Sequence, residues 1–344
     1  MTEALYMKRC LELAAKGLGN TKSNPLVGAV IVHNNVIIGE GYHQKYGEAH
    51  AEVNAVKAVK DKSLLKTSTI YVSLEPCSHF GKTPPCAELI VSSGIPKVVI
   101  CNTDPHEKVA GKGIKLLEKN GIEVVQGILE PNGFWLNRRF FTFHTLKRPY
   151  IILKWAQNQN GYMDKLRSKE DKGVNWITQP ETKTLTHQWR AEEQAILVGA
   201  STVLTDSPSL TVRNASGENP LRIVIDPNSR IPSGHEFLNS DIETILVSYD
   251  PHSKVKAAGL KLEKGISVAT QTLNHLYSKQ IISLMVEGGA STLQHFIDEN
   301  LWDEARVLEG NNDWTEGLAS PELKGLLGGK FNYGKDTLKI YKNR

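Results

Sequence analysis

Apolar and polar positions divide the chain into alternating helical and extended stretches. Over residues 2–16, Leu5, Met7, Cys10, Leu11, Leu13 and Ala14 recur at three- and four-residue steps, which predicts an amphipathic helix ended by the 17–25 stretch. Two β-rich runs, 27–32 and 36–39, flank the polar turn His33-Asn34-Asn35 and predict a hairpin. A helix follows over 50–59, where Ala51, Val53, Ala55, Val56 and Val59 share one face and Glu48 and Glu52 lie near the positive end. Strand 69–74, helix 85–93 stopped by Gly94, strand 97–101, helix 113–120 and strand 122–125 complete an α/β sandwich around one sheet.

Beyond Pro131 the pattern gives way to an aromatic run, Phe134, Trp135, Phe140, Phe141 and Phe143, that reads as packing rather than as a base-stacking platform. A domain boundary near Leu146 follows, with one domain over 1–146 and a second over 147–344. The second domain restarts α/β alternation: strand 150–155, helix 180–193, and strands 195–198, 221–226, 244–248 and 281–286, the last running through Glu287-Gly288-Gly289-Ala290 into a helix from Ser291.

Composition narrows the classes of function. With 344 residues the chain has room for two cored domains, and 40% hydrophobic with 23% charged residues is the balance of a globular protein. Lys and Arg exceed Asp and Glu only by 41 to 37, which argues against extended nucleic-acid binding, and no nucleic-acid partner is expected. The longest apolar runs, 26–32 and 281–286, are far shorter than the roughly 20 residues of a spanning helix, so no membrane partner is expected either. The N-terminus lacks the zones of a signal peptide, and Cys10, Cys77, Cys86 and Cys101 are too few and uneven for a disulfide framework; a cytoplasmic protein is expected.

The chemistry concentrates in His50-Ala51-Glu52, Pro76-Cys77 and Cys86. One imidazole and two thiolates can hold Zn2+ and leave a fourth position open, the pattern of a catalytic rather than a structural site. Glu52, two residues after His50 at a helix start, lies where a carboxylate carries a proton between water and a leaving group. This is the H-x-E with P-C pattern of zinc deaminases, with the second cysteine displaced and a polar insert, 78–85, that contains His79, Lys82 and Thr83. A structural zinc site, a nucleoside or nucleic-acid deaminase and a noncatalytic zinc module are the competing readings. The second half offers less by itself: Lys154 on a strand, Arg190 on a helix, Arg213 in a loop, and a glycine turn at 287–289 that suits close approach of a phosphate or simply starts a helix.

The runs NPLVGAVIV (24–32), GYHQKYGEAHAE (41–52) and EPCSHFGKTPPC (75–86) resemble the RibD family of bifunctional riboflavin-biosynthesis deaminase/reductases. The resemblance implies a cytidine-deaminase-like three-layer α/β/α domain with zinc on His50, Cys77 and Cys86, catalytic Glu52, and substrate contacts at Asn24, His43, His79, Lys82, Thr83 and Asp104. It continues through 154–156, 176–178, 196–199, 202–213 and 286–293, implying a dihydrofolate-reductase-like α/β domain. There Ala156, Trp176, Thr202, Asp206, Gly288 and Gly289 would bind NADPH, and Lys154, Arg190, Leu210, Arg213 and Glu287 the substrate. His106, Asn160 and Val174 depart from the family pattern. The implied activity is hydrolytic deamination of 2,5-diamino-6-(5-phosphoribosylamino)pyrimidin-4-one followed by NADPH-dependent reduction of the ribosyl group to ribityl. The partner is that small molecule, and a homo-oligomer is expected. The alternative is a monofunctional zinc deaminase with a degenerate second domain.

Overall fold

The computed structural model describes residues 2–78, 84–106, 110–168 and 170–343. The chain divides into two compact units, Met1–Lys147 and Arg148–Arg344.

The first unit runs α1 (Glu3–Ala15), β1 (Gly28–His33), β2 (Val36–Tyr42), α2 (Ala51–Ala58), a 3-10 turn (Lys62–Thr67), β3 (Thr69–Leu74), α3 (Cys86–Ser92), β4 (Lys97–Asn102), α4 (Lys112–Lys119), β5 (Glu123–Gln126), α5 (Glu130–Leu136) and α6 (Arg138–Leu146). The sheet order is β2-β1-β3-β4-β5, with β1 antiparallel to both neighbours and β3, β4 and β5 parallel. Asn34 and Asn35 both take positive φ, 47° and 62°, the geometry that closes a two-residue hairpin. Both faces are covered, which is why these strands read as continuous apolar runs. Ala29, Ile31, Ile70, Val72, Val98 and Ile100 face α2, α3 and α4, while the alternate residues Val30, Val32, Tyr71, Val99 and Cys101 face α1. The aromatic run forms α5 and α6; Phe140, Phe141 and Phe143 are buried, whereas Phe134 and Trp135 are exposed.

The second unit contains β6 (Tyr150–Asn158), β7 (Tyr162–Asp164), α7 (Pro180–Glu192), β8 (Ala195–Gly199), α8 (Ala200–Asp206), β9 (Leu221–Ile225), α9 (Glu236–Asn239), β10 (Thr244–Ser248), β11 (Ala258–Lys261), α10 (Val268–Ser278), β12 (Ser283–Gly288), α11 (Ala290–Asp298), β13 (Glu304–Gly310), β14 (Leu318–Ala319), β15 (Leu326–Tyr333) and β16 (Asp336–Lys342). Nine strands form one sheet, β11-β10-β9-β8-β12-β6-β13-β16-β15, parallel up to β13 and antiparallel at β16 and β15. Alternation again feeds two cores: Ile151, Leu153, Leu197 and Val286 pack with α10 and α11, and Ile152, Ile196, Val198 and Met285 with α7, α8 and α9. The parallel order brings the carboxyl ends of β8, β9 and β12 together, where open α/β sheets bind ligands.

Several strands of this sheet are absent from the expected elements. In β13, buried Glu304 and Arg306 interrupt the apolar pattern; Arg306 Nε donates to Glu304 at 2.6 Å, and the guanidinium lies 4.8 Å from the Trp189 ring centre. Strand β15 is exposed almost throughout and carries no alternation to detect.

Candidate zinc and nucleotide sites

In the first unit, central strand β3 delivers Glu75-Pro76-Cys77 to the carboxyl end of the sheet, and His50 and Cys86 stand at the starts of α2 and α3. His50 Nδ1 lies 3.3 Å from Cys86 Sγ and 3.7 Å from Cys77 Sγ, and the three donor atoms are all within 4.8 Å of one another. Tetrahedral zinc bonds of about 2.3 Å to sulfur and about 2.0 Å to nitrogen require sulfur–nitrogen edges of roughly 3.6 Å, so the donor set fits that ion. The Cys86 amide donates to Cys77 Sγ at 3.4 Å. The hydrogen bond with Cys86, aided by one with His50, pulls the Cys77 thiol well below its ordinary range, while the same contact and burial push Cys86 up.

Glu52, 3% exposed, sits in the first turn of α2, and its Oε2 has no hydrogen-bond partner. Burial raises its pKa, partly opposed by the neighbouring His50. A buried carboxylate oxygen left unpartnered beside three metal-type donors is otherwise costly. It is the acceptor that a water delivered to this cluster would meet.

Asn24 and His43 form one wall. His43 Nδ1 faces the Ala49 carbonyl at 3.1 Å and must carry the hydrogen, so Nε2 accepts from the Asn24 amide at 3.0 Å. The ring meets His50 edge-on at 5.6 Å, and burial lowers its pKa. Asp104 is buried, accepts from the His106 amide at 2.7 Å and titrates near 6, raised by burial and by Glu75. His79, Lys82 and Thr83 lie outside the described residues.

Glu75, which the sequence reading does not single out, organises this corner. Its carboxylate accepts from the amides of Asp104, Gly111, Gly113 and Ile114 at 3.0–3.3 Å and so ties β3 to the start of α4. A side chain at Gly113 would collide with the Pro76 carbonyl, so glycine lets α4 press against the residue before Cys77. The available signal was an acidic residue at a strand end directly before Pro-Cys.

In the second unit, Arg190 on α7 reaches Glu287 on β12 with Nε and Nη2, at 2.9 and 2.7 Å, and its Nη1 lies 3.3 Å from the Thr211 carbonyl. Its fork is thus engaged by the protein. Burial would raise the Glu287 carboxyl, but Arg190 and then Lys154 override it and hold it near 2. Lys154 is lowered by burial, against the pull of Glu287. Arg213 is exposed; its Nη1 contacts Ser209 Oγ and donates to Thr211 Oγ1 at 2.8 Å, and its amide donates to buried His187 at 3.1 Å. Thr211 therefore joins the two arginines. His187 is a further residue the sequence did not mark. Leu210 is buried in the core at a left-handed φ of 54°.

Of the residues expected around a nucleotide, Gly288 and Gly289 lie at the carboxyl end of β12, Thr202 and Asp206 on α8 after β8, Ala156 on β6, and Trp176 in the segment before α7. A Cβ at Gly289 would lie 3.3 Å from Thr202 Oγ1, and one at Gly199 would strike Thr292 Oγ1, so the backbone is cleared around two hydroxyls beside the start of α11. Asp206 Oδ1 is buried without a hydrogen-bond partner, 3.8 Å from Arg167, and burial raises that carboxyl. Glycine cradle, hydroxyls and a carboxylate oxygen without a hydrogen bond suit a phosphorylated, hydroxyl-rich nucleotide such as NADPH. Ala156 is half-buried on β6, and Trp176 is exposed with Lys183 Nζ 3.4 Å from its ring centre. Asn160 donates to the Trp314 carbonyl at 2.8 Å, so its side chain ties the turn after β6 to the segment after β13, and Val174 is exposed.

Comparison with known proteins agrees with this geometry. The model of the cytidine and deoxycytidylate deaminase zinc-binding region matches residues 1–102, and that of the RibD C-terminal domain matches 149–309. The chain is 42% identical over 327 residues to the riboflavin biosynthesis protein RibD of Aquifex aeolicus, covering 92% of this chain and 89% of the relative. The crystal structure of the Thermotoga maritima diaminohydroxyphosphoribosylaminopyrimidine deaminase/5-amino-6-(5-phosphoribosylamino)uracil reductase superposes with a TM-score of 0.89 at 33% identity, covering 99% of this chain and 98% of that one. Acinetobacter baumannii RibD gives 0.90 at 30% identity with the same coverage. The fold is thus a cytidine-deaminase-like unit followed by a dihydrofolate-reductase-like one. Relatives matched along nearly their whole length admit one conclusion: the chain belongs to the RibD family and is a bifunctional deaminase and reductase of riboflavin biosynthesis.

Proposed function

We propose that the first unit deaminates 2,5-diamino-6-(5-phosphoribosylamino)pyrimidin-4-one and the second reduces the ribosyl group of the product, each with the residues assembled above. His50, Cys77 and Cys86 would hold zinc, and the observation that carries this reading is the unpartnered Glu52 oxygen beside them. Zinc when bound supplies a water that is nucleophilic at neutral pH, and NADPH supplies hydride. Glu52 takes a proton from the attacking water at the amine-bearing ring carbon and returns one to the departing nitrogen, so that ammonia leaves. Asn24, His43 and Asp104 would contact the pyrimidine or its phosphate, and His79, Lys82 and Thr83 remain expected contacts from the family resemblance alone.

In the second unit, Arg213 is the residue that offers an open guanidinium to the 5-phosphate. Arg190 positions Glu287, which with Lys154 faces the sugar, and Leu210 shapes the wall through its backbone. Ala156, Trp176, Thr202, Asp206, Gly288 and Gly289 would receive NADPH, which would supply hydride for C1 of the open-chain ribosyl group, with the accompanying proton taken up by the nitrogen attached to that carbon.

Work in the cytoplasm suits this reading, since the cysteines are free and zinc needs reduced thiols. Among the described residues no helix is long and apolar enough to cross a membrane. A second copy of the chain would pair along edge strand β15, which exposes Leu326, Leu327, Phe331 and Tyr333; light scattering tests that assembly.

Glu52→Gln tests the assignment. Ammonia release should fall by about 10²–10⁴-fold with zinc retained, while NADPH oxidation continues when the deaminated aminouracil is supplied. Unchanged ammonia release would remove Glu52 from the chemistry.

A further inference from the structure

Between α8 and β9, Ser209, Leu210, Thr211, Val212 and Arg213 belong to no regular element. Leu210 takes a left-handed φ of 54°, a conformation that a residue with a branched side chain keeps only where its surroundings impose it. Side chains from outside the segment do so. Arg222, 2% exposed on β9, donates from Nη1 to the Ser209 carbonyl at 3.2 Å, and Arg190 donates to the Thr211 carbonyl at 3.3 Å. Asn219 Oδ1 accepts from the Val212 amide at 2.8 Å, and His187 Nδ1 accepts from the Arg213 amide at 3.1 Å.

Only the last of these contacts falls on the residue that carries the exposed guanidinium. His187 and Arg190 stand three residues apart on α7, so they share the face that meets the loop. His187 is 6% exposed, and because Nδ1 accepts, the imidazole is neutral with its hydrogen on Nε2. Burial, Arg190 and Arg213 lower its pKa and keep it in that form. An amide held there fixes the point from which the Arg213 side chain departs. Further out, Nη1 contacts Ser209 Oγ and donates to Thr211 Oγ1 at 2.8 Å, so the guanidinium is seated at one nitrogen and exposed at its other side.

We infer that His187 is a positioning residue of the reductase unit: by holding the Arg213 amide it aims the guanidinium at the substrate's 5-phosphate, and so sets how strongly the phosphorylated sugar is preferred to its unphosphorylated form. This rests on the reading, given above, that Arg213 holds that phosphate. His187 acts through Arg213, since its Nδ1 is engaged by backbone and its ring is buried. A guanidinium aimed in advance meets a phosphate with less ordering cost than a free one.

The test is steady-state reduction by the zinc-loaded full chain, at saturating NADPH, of the deaminated aminouracil with and without its 5-phosphate. His187→Leu and His187→Asn match each other in shape, and only the second can accept from the amide. His187→Leu should raise KM for the phosphorylated substrate about tenfold, with kcat within about twofold and KM for the unphosphorylated one little changed. His187→Asn should recover most of that loss. His187→Phe keeps the volume of the ring without the acceptor and repeats the comparison if His187→Leu does not fold. Added to Arg213→Gln, His187→Phe should raise KM no further. Equal KM for His187→Leu and His187→Asn, equal losses on the two substrates, or full additivity with Arg213→Gln would make His187 structural only and overturn the inference, while the phosphate reading stands if Arg213→Gln alone weakens the phosphorylated substrate. An Arg213→Gln form that keeps the parent's preference for the phosphorylated substrate overturns both.

Discussion

The two sites satisfy their polar groups in opposite ways. In the first unit the donors at His50, Cys77 and Cys86 crowd together with few other partners, and Glu52 Oε2 has none, so a cation and a water would satisfy the cluster. In the second unit Glu287, Arg190 and Lys154 neutralise one another, and the guanidinium fork is closed before any ligand binds. One site is completed by its metal; the other arrives as a charged scaffold on which two ligands are laid. The difference bears on which groups are free to meet a ligand: at the second site Arg190 is ion-paired with Glu287, whereas Arg213 is exposed and, on the reading proposed above, would be the one to hold phosphate.

Metal removal breaks the comparison most directly. Chelation, or Cys86→Ser, should abolish ammonia release while NADPH oxidation on the aminouracil survives; loss of both together would mean that the units are not chemically independent. A smaller effect, in stability, comes from Arg190→Met. It leaves Glu287 buried without its partner and should destabilise the second unit by about 3–5 kcal/mol, read by denaturant unfolding. The parent pair also sets a pH window. Glu287 titrates near 2 when folded against 4.5 ordinarily, so its contribution is complete above pH 4.5 and lost as pH falls toward 2; Glu287→Gln should flatten that slope.

Glu75→Gln should cost the first unit about 1–3 kcal/mol, because an amide cannot accept from four backbone N–H groups with both ends, and zinc affinity should fall with it. The smallest effect concerns His144, which packs edge-on against Phe140, Phe143 and His106 and titrates near 4, lowered by burial and by the neighbouring His106 and Lys147. Between pH 6.5 and 4 the unfolded imidazole binds a proton that the folded one refuses, so the first unit loses stability as pH falls through that window. His144→Phe should reduce this loss in melting-temperature profiles, and an unaltered profile would place the titration elsewhere.

Much of the first unit was readable because its strands are covered on both sides and its metal-type donors lie in short motifs at element ends: His50-Ala51-Glu52 at the start of α2, Pro76-Cys77 after β3, and Cys86 at the start of α3. What could not be read are long-range acceptances such as Glu75 to the α4 amides, since no local spacing encodes a carboxylate meeting a turn some 36 residues on. The second unit was less legible for a related reason. Its site is assembled from segments 97 residues apart, as with Arg190 and Glu287, and β13 hides its strand character behind a buried Glu304–Arg306 pair. Only resemblance pointed to Thr202 and Asp206, which no local spacing in the second half marks out.

The most direct measurement of the central claim follows ammonia and NADPH together on one sample of the zinc-loaded chain given the diaminopyrimidinone phosphoribosylamine. The account predicts ammonia first and NADPH oxidation after it, in equal amounts. Ammonia without NADPH oxidation, or NADPH oxidation without ammonia, would contradict it.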